Sequence, residues 1–264
     1  MRYYINVKTF ELSHQKNIRD LGGLVGFKGK KVKSGRLFRG GLIPKVNEED
    51  LKILNSFHLT DIVDFRGSYE FQYKPDIKLE GVRYHNFAPL VENVSDEHKH
   101  SEDGNLLWFI EGDKSGFDHM FDVYGELLTI EAGKNAYRKF FELLTSEDDL
   151  VVYFHCSQGK DRAGMAAYLL ETALGVDEKS KREDYLLSNV AMESKIKSLY
   201  PMVANKPYFN EKYKQSFYDV FSARLEYLDN AIKSMEEISG SVLEFIRKEL
   251  NVDVERLRKI YLEN

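Results

Sequence analysis

Apolar positions in the first part of the chain come in short runs. Arg36-Leu37-Phe38-Arg39, Thr60 to Phe65 and Leu150 to Phe154 predict strands, and Val82 to Phe87 alternates as a further one. Between them, Asn47-Glu48-Glu49-Asp50 predicts a helix through about Phe57, with Asn47 as its cap. Helical spacing returns at Phe117, Met120, Phe121, Tyr124, Leu127 and Leu128, then at Ala136, Tyr137, Phe140, Phe141 and Leu144. From Met165 onward almost everything reads as helix. Phe221, Leu225, Leu228, Ile232 and Met235 form one stripe, Val242, Phe245, Ile246 and Leu250 the next, and Val254, Leu257 and Ile260 a last short one. These stripes are expected to be core. The polar stretch 91–116, with Gly104, Gly112 and Gly116, reads as a surface insertion. A sheet whose last strand feeds a helix, with helices around it, is an α/β architecture.

Composition narrows the function classes. The 264 residues show no Pro/Gly/Ser-rich linker, no internal repeat and no low-complexity tract, so one domain over 1–264 with a helical C-terminal region is expected. A formal charge of -5 argues against nucleic acid as the main partner. Lys28, Lys30, Lys31 and Lys33, interrupted by Gly29 and Val32, read as a solvated loop or hairpin. No apolar run is long enough for a transmembrane segment, and Met1 to Lys8 lacks a signal-peptide core. A cytoplasmic location is the expectation; a secreted protein whose export signal lies outside this sequence would read the same. The pattern fixes no oligomeric state.

The one cysteine, Cys156, excludes an intrachain disulfide and any resolving partner. It lies in His155-Cys156-Ser157-Gln158-Gly159-Lys160-Asp161-Arg162-Ala163-Gly164, between the predicted strand ending at Phe154 and the helix beginning near Met165. Backbone N–H groups at such a strand-to-helix turn converge on an anion, and the helix dipole favours both a phosphate and a thiolate. Arg162 offers a planar fork for two oxygens of a phosphoryl group, which lysine cannot match. Gly159 lets the backbone turn toward a ligand without a Cβ clash. His155 is expected to fix the loop through its ring nitrogens. Ser157, Gln158, Gly159, Lys160, Asp161 and Arg162 are therefore the candidate phosphate-binding residues and Cys156 the candidate nucleophile. A sulfurtransferase of the rhodanese type, an arsenate reductase and a phosphate-binding protein without turnover are the competing readings.

His-Cys, five residues and Arg resemble the signature of the cysteine-dependent protein tyrosine phosphatase superfamily. Lys160-Asp161, Asn17-Ile18-Arg19-Asp20-Leu21-Gly22-Gly23, Asp64-Phe65-Arg66 and the run from Gly240 to Leu262 are similar to the bacterial atypical phosphatases of the PtpB/LipA type. The resemblance implies a protein tyrosine phosphatase-like fold. It also implies hydrolysis of phosphotyrosine, with phosphoserine, phosphothreonine or phosphoinositide activity, through a cysteinyl-phosphate intermediate and with no metal or cofactor. The implied partners are phosphorylated protein or phosphoinositide substrates. Lys160 is expected to add charge facing the same anion. Asp64, first, and Asp161, second, are the candidate general acids, with a salt bridge to Arg66 or Arg19 as the alternative role for Asp64. Asp118 and Asp122 read as residues of an amphipathic helix, and Asp20 as the residue ordering the turn at Gly22-Gly23. Many superfamily members carry Ser or Thr after the arginine; Ala163 stands there, which predicts slow breakdown of the phosphoenzyme.

Overall fold

The computed structural model describes residues 5, 7–90, 114–205 and 210–263. The chain runs β1 (Lys8–Leu12), β2 (Gln15–Asp20), β3 (Leu37–Gly41), α1 (Glu48–Ser56), β4 (Asp61–Asp64), α2 (Ser68–Tyr73), β5 (Arg83–Asn86), α3 (Gly116–Glu126), α4 (Glu131–Leu144), β6 (Val152–Cys156), α5 (Arg162–Leu174), α6 (Glu178–Ala204), α7 (Glu211–Phe221), α8 (Leu225–Ser239), α9 (Val242–Lys248) and α10 (Val254–Tyr261). The described strands form one sheet in the order β1-β2-β3-β6-β4-β5. Its first two pairings are antiparallel, and β3, β6, β4 and β5 run parallel.

The central parallel strands are apolar on both faces because both are covered. Side chains alternate, so Phe38, Ile62 and Tyr153 turn to one face, where Leu54 of α1 and Phe57 just after it pack with Ile18. Leu37, Val63, Val152 and Phe154 turn to the other, into a core shared with α3, α4, α5, α8, α9 and α10. Helix α1 starts with a full capping box between Asn47 and Asp50. The candidate insertion falls, up to residue 113, outside the described residues.

Two elements differ from the sequence reading. Strands β1 and β2 are absent from it, because Gln15–Asp20 is polar at its start and its buried residues Asn17, Arg19 and Asp20 are held by hydrogen bonds. The stripe from Phe221 to Met235 is not one helix: Ser222 and Arg224 are extended and separate α7 from α8. The break is fixed by Asn189, whose amide both accepts from Ala223 N–H (2.7 Å) and donates to its carbonyl (2.8 Å). The basic stretch forms a tight turn closed by a Val25–Lys31 bridge. Val32 then pairs with Leu262, tying this turn to the C-terminal end.

The register places the ends of β3, β6 and β4 side by side, with Gly41 opposite Cys156 and Asp64 opposite His155. Ligands of parallel α/β sheets bind beyond these carboxyl ends. Phe154 anchors this region: it is fully buried, with its ring 5.1 Å from that of Phe140. Phe154→Ala is expected to cost about 3–5 kcal/mol in urea unfolding; a loss below about 1 kcal/mol would show that the two faces do not depend on this strand.

Candidate active site

Cys156 ends β6 and is 2% exposed; the chain then crosses a five-residue loop and enters α5 at Arg162. Gly159 has φ +71°, and a Cβ there would stand 2.3 Å from the backbone of Gly40, so this turn requires glycine. The Ser157 carbonyl accepts from Leu42 N–H (3.3 Å), the Gln158 carbonyl from Asn17 Nδ2 (2.9 Å) and the Gly159 carbonyl from Arg39 Nη2 (2.9 Å). In a trans peptide the following N–H points opposite to the carbonyl. The N–H groups of Gln158, Gly159 and Lys160 are thus turned away from β2 and β3. None of them donates to a described residue.

Arg162 is gripped by a residue the sequence reading missed. Glu70, on the short helix α2, takes Nη1 at 2.5 Å and Nη2 at 3.0 Å, and accepts from the Ser157 hydroxyl and from Gly67 N–H (3.2 Å). Burial pushes the Glu70 carboxyl up, but the Arg162 charge, the Ser157 hydroxyl and the Gly67 N–H outweigh it and hold it down at about 2. The available signal was a Glu three residues after Gly67, a capping-box spacing; nothing local links it to Arg162.

The two candidate acids lie in different environments. Asp64, 4% exposed, binds Arg66 with both oxygens at 2.7–3.0 Å. Asp64 thus forms a salt bridge, with Arg66 rather than Arg19 as its partner. Arg66 also reaches Asp76 (2.6 Å), which stands 3.4 Å from His155 Nε2. Asp64, Asp76 and His155 offer three metal-ligand atoms within 4.8 Å of one another, but the Arg66 guanidinium already supplies the positive charge bonded to both carboxylates. His155 Nδ1 contacts the Cys156 carbonyl at 3.2 Å, and its ring stacks on Tyr153.

Asp161, immediately before α5, has 26% of its side chain exposed. Its Oδ1 accepts from Tyr124 Oη (2.7 Å) and pairs with Lys160 Nζ (2.9 Å), while no described residue bonds Oδ2. Tyr124 in turn accepts from Tyr185 (2.8 Å). Burial, followed by the charge of Asp161, pushes the Tyr124 phenol well up, so it serves as a donor. Lys160 departs from the expectation that it faces the anion. Its 1%-exposed side chain ends on Asp161 and on the carbonyls of Val220 (2.7 Å) and Ser222 (3.2 Å), because the break between α7 and α8 leaves those carbonyls free of helical partners. Asp118 and Asp122 lie on α3, bonded to Ser115 and Lys114. Asp20 orders its turn as expected, accepting from Gly22 (2.8 Å) and Gly35 (2.6 Å).

A cysteine at the carboxyl end of a parallel strand, followed by loop amides with no described partner and an arginine at a helix start, is a candidate anion site on an α/β scaffold. The chain belongs to the tyrosine phosphatase family, whose sequence profile matches residues 10–263. It is similar to a Cupriavidus necator protein provisionally named a tyrosine-protein phosphatase, 31% identical over 93% of this chain and 85% of that one. It is also similar to the triple specificity protein phosphatase PtpB of Mycobacterium tuberculosis, 25% identical over 87% of this chain and 93% of that one. The chain is accordingly a protein-tyrosine phosphatase of the bacterial PtpB-like kind. Among the described residues no helix is long and apolar enough to cross a membrane.

The Glu70–Arg162 pair gives a pH signature. A carboxyl held at about 2 against an ordinary 4.5 stabilises the fold fully above the ordinary value, and that contribution is lost as pH falls toward the folded value. Thermal melts of the wild type are expected to lose stability progressively between about pH 5 and pH 2, and Glu70→Gln to remove part of that slope. An unchanged acid limb in the variant would show that the pair contributes nothing.

Proposed function

We propose that this phosphatase works by double displacement through Cys156, with Asp161 as the general acid. Sγ attacks phosphorus in line and forms the S–P bond, while the ester oxygen leaves with the proton carried by Asp161. Water then attacks the same phosphorus and gives its proton to the Asp161 carboxylate; the S–P bond breaks and phosphate is released. The Gln158, Gly159 and Lys160 amides and the Arg162 N–H groups that Glu70 leaves free take the equatorial oxygens, where charge is held by fixed dipoles. Glu70 orients Arg162.

The observation that carries the choice of acid is the asymmetry of the Asp161 carboxylate. Both donors sit on Oδ1, so Oδ2 is left to carry the proton. Asp64 meets no such condition, since both its oxygens are on Arg66. Lys160 is assigned a supporting role: it holds Asp161 and the α7–α8 break instead of touching the anion. Ala163 offers no hydroxyl to the departing thiolate, which supports a slow second step.

For substrates, membership of the tyrosine phosphatase family and the resemblance to a relative named for triple specificity support phosphotyrosine as one substrate within a broader range. We place phosphoserine, phosphothreonine and phosphoinositides in that range as what the family resemblance implies. The sulfurtransferase, arsenate reductase and phosphate-carrier readings have no support from the family match.

The leaving group separates the acids. Asp161→Asn is expected to depress hydrolysis of alkyl phosphates by roughly 10²- to 10⁴-fold while sparing p-nitrophenyl phosphate. Asp64→Asn is expected to lower the melting temperature without that selectivity. The reverse pattern would return the acid role to Asp64. Cys156→Ser is expected to abolish both activities in a folded protein; turnover surviving in that variant would remove the double-displacement reading.

A further inference from the structure

The three loop carbonyls described above are held by groups that come from far away in the sequence. Asn17 is 141 residues from Gln158, and Arg39 is 120 from Gly159. Each donor is itself fixed from behind. The Asn17 Oδ1 accepts from Arg19 Nη1 (2.6 Å), so its amide orientation is determined: oxygen to the guanidinium, nitrogen to the loop. Arg19 Nε and Arg39 Nη1 both bind the carboxylate of Asp184 on α6, and all three side chains are at most 2% exposed. Glu171 on α5 is buried beside them; burial and the Asp184 charge push its carboxyl well up. Two guanidiniums on one carboxylate therefore form a rigid buried brace behind the loop. Its outward ends are the Asn17 amide and Arg39 Nη2.

We propose that Asn17 and Arg39 are positioning residues for oxyanion binding: by taking the Gln158 and Gly159 carbonyls they hold the Gly159 and Lys160 N–H groups toward the phosphoryl oxygens. The proposal rests on the phosphatase reading of the Cys156 loop and assigns a function to the Asn17-Ile18-Arg19 segment, which touches no reacting atom. Peptide dipoles aligned around one point repel one another until an anion enters. A peptide whose carbonyl loses its outside donor gains freedom to turn that carbonyl inward, and an inward carbonyl repels phosphate. The loss therefore appears first in anion affinity and only secondarily in folding.

Two substitutions of one residue separate these roles. Asn17→Ala removes the donor to Gln158 and the acceptor for Arg19. Asn17→Asp is nearly isosteric and keeps, with added charge, the acceptor for Arg19, but it presents an oxygen to the Gln158 carbonyl in place of the N–H. Inorganic phosphate binding, followed by calorimetry, is expected to weaken roughly 3- to 10-fold in Asn17→Ala and roughly 10- to 100-fold in Asn17→Asp, the scale of one hydrogen bond lost and one made repulsive. Melting temperatures are expected in the opposite order, with Asn17→Asp at or above Asn17→Ala. Hydrolysis of aryl and alkyl phosphates is expected to fall by one common factor, unlike the selective loss assigned to Asp161. Phosphate affinity unchanged in Asn17→Asp, or affinity that follows melting temperature in both variants, would overturn the proposal. Calorimetry needs no turnover, so a wild type that binds phosphate without hydrolysing esters would count against double displacement through Cys156, whereas phosphate affinity unchanged in Asn17→Asp would count against the positioning role alone.

Discussion

A loop that turns several N–H groups toward one point must turn the matching carbonyls outward, and outward here means into the protein. Buried carbonyls need donors. Leu42, Asn17 and Arg39 are those donors, and all three come from the β2–β3 side of the sheet. Strand β2, antiparallel to β3 on this edge, is what brings Asn17 to the loop. Of the two buried guanidiniums here, Arg39 reaches the back of a loop more than a hundred residues further along the chain, and Arg19 stands behind Asn17 on Asp184. Asp184, supplied by α6, completes the brace, so the helical C-terminal half and the N-terminal strands meet on one carboxylate.

Charge is arranged in the same way on the other sides. Arg162 rests on Glu70, Lys160 on Asp161, and Arg66 on Asp64 and Asp76. Buried ion pairs add little net stability because desolvation offsets their attraction, yet breaking one leaves an uncompensated charge. Their effect here is geometric: each cation near the loop has one orientation. Under the proposed mechanism a dianion would meet a guanidinium and loop amides whose orientation is already set, the preorganisation that lowers the cost of charge development.

How much of this the sequence disclosed follows from distance along the chain. The strand–loop–helix placement of His155 to Gly164 was legible because cysteine, loop amides and arginine occupy one contiguous segment between the apolar runs of a strand and a helix. Strand β3, the Asn47 cap and helices α3 to α5 were legible for the same local reason. Glu70, Tyr124 and Asp184 were not, since their partners lie 92, 37 and 145 to 165 residues away and each residue taken alone is an ordinary helix residue. For Asp64 the end of a central strand was legible, but not that Arg66, two residues on, folds back over its carboxylate. The split between α7 and α8 was hidden as well: the apolar spacing runs straight through a break imposed from outside by Asn189 and Lys160.

The central claim is that the phosphoryl group passes through Cys156. Rapid mixing of the wild type with an aryl phosphate, acid quenching within one turnover and peptide mass spectrometry tests it directly. The account predicts one phosphoryl group on the peptide that contains Cys156, accumulating because Ala163 leaves breakdown slow. A phosphoryl group on a histidine or aspartate peptide, or turnover with no phosphoenzyme at any quench time, would contradict it.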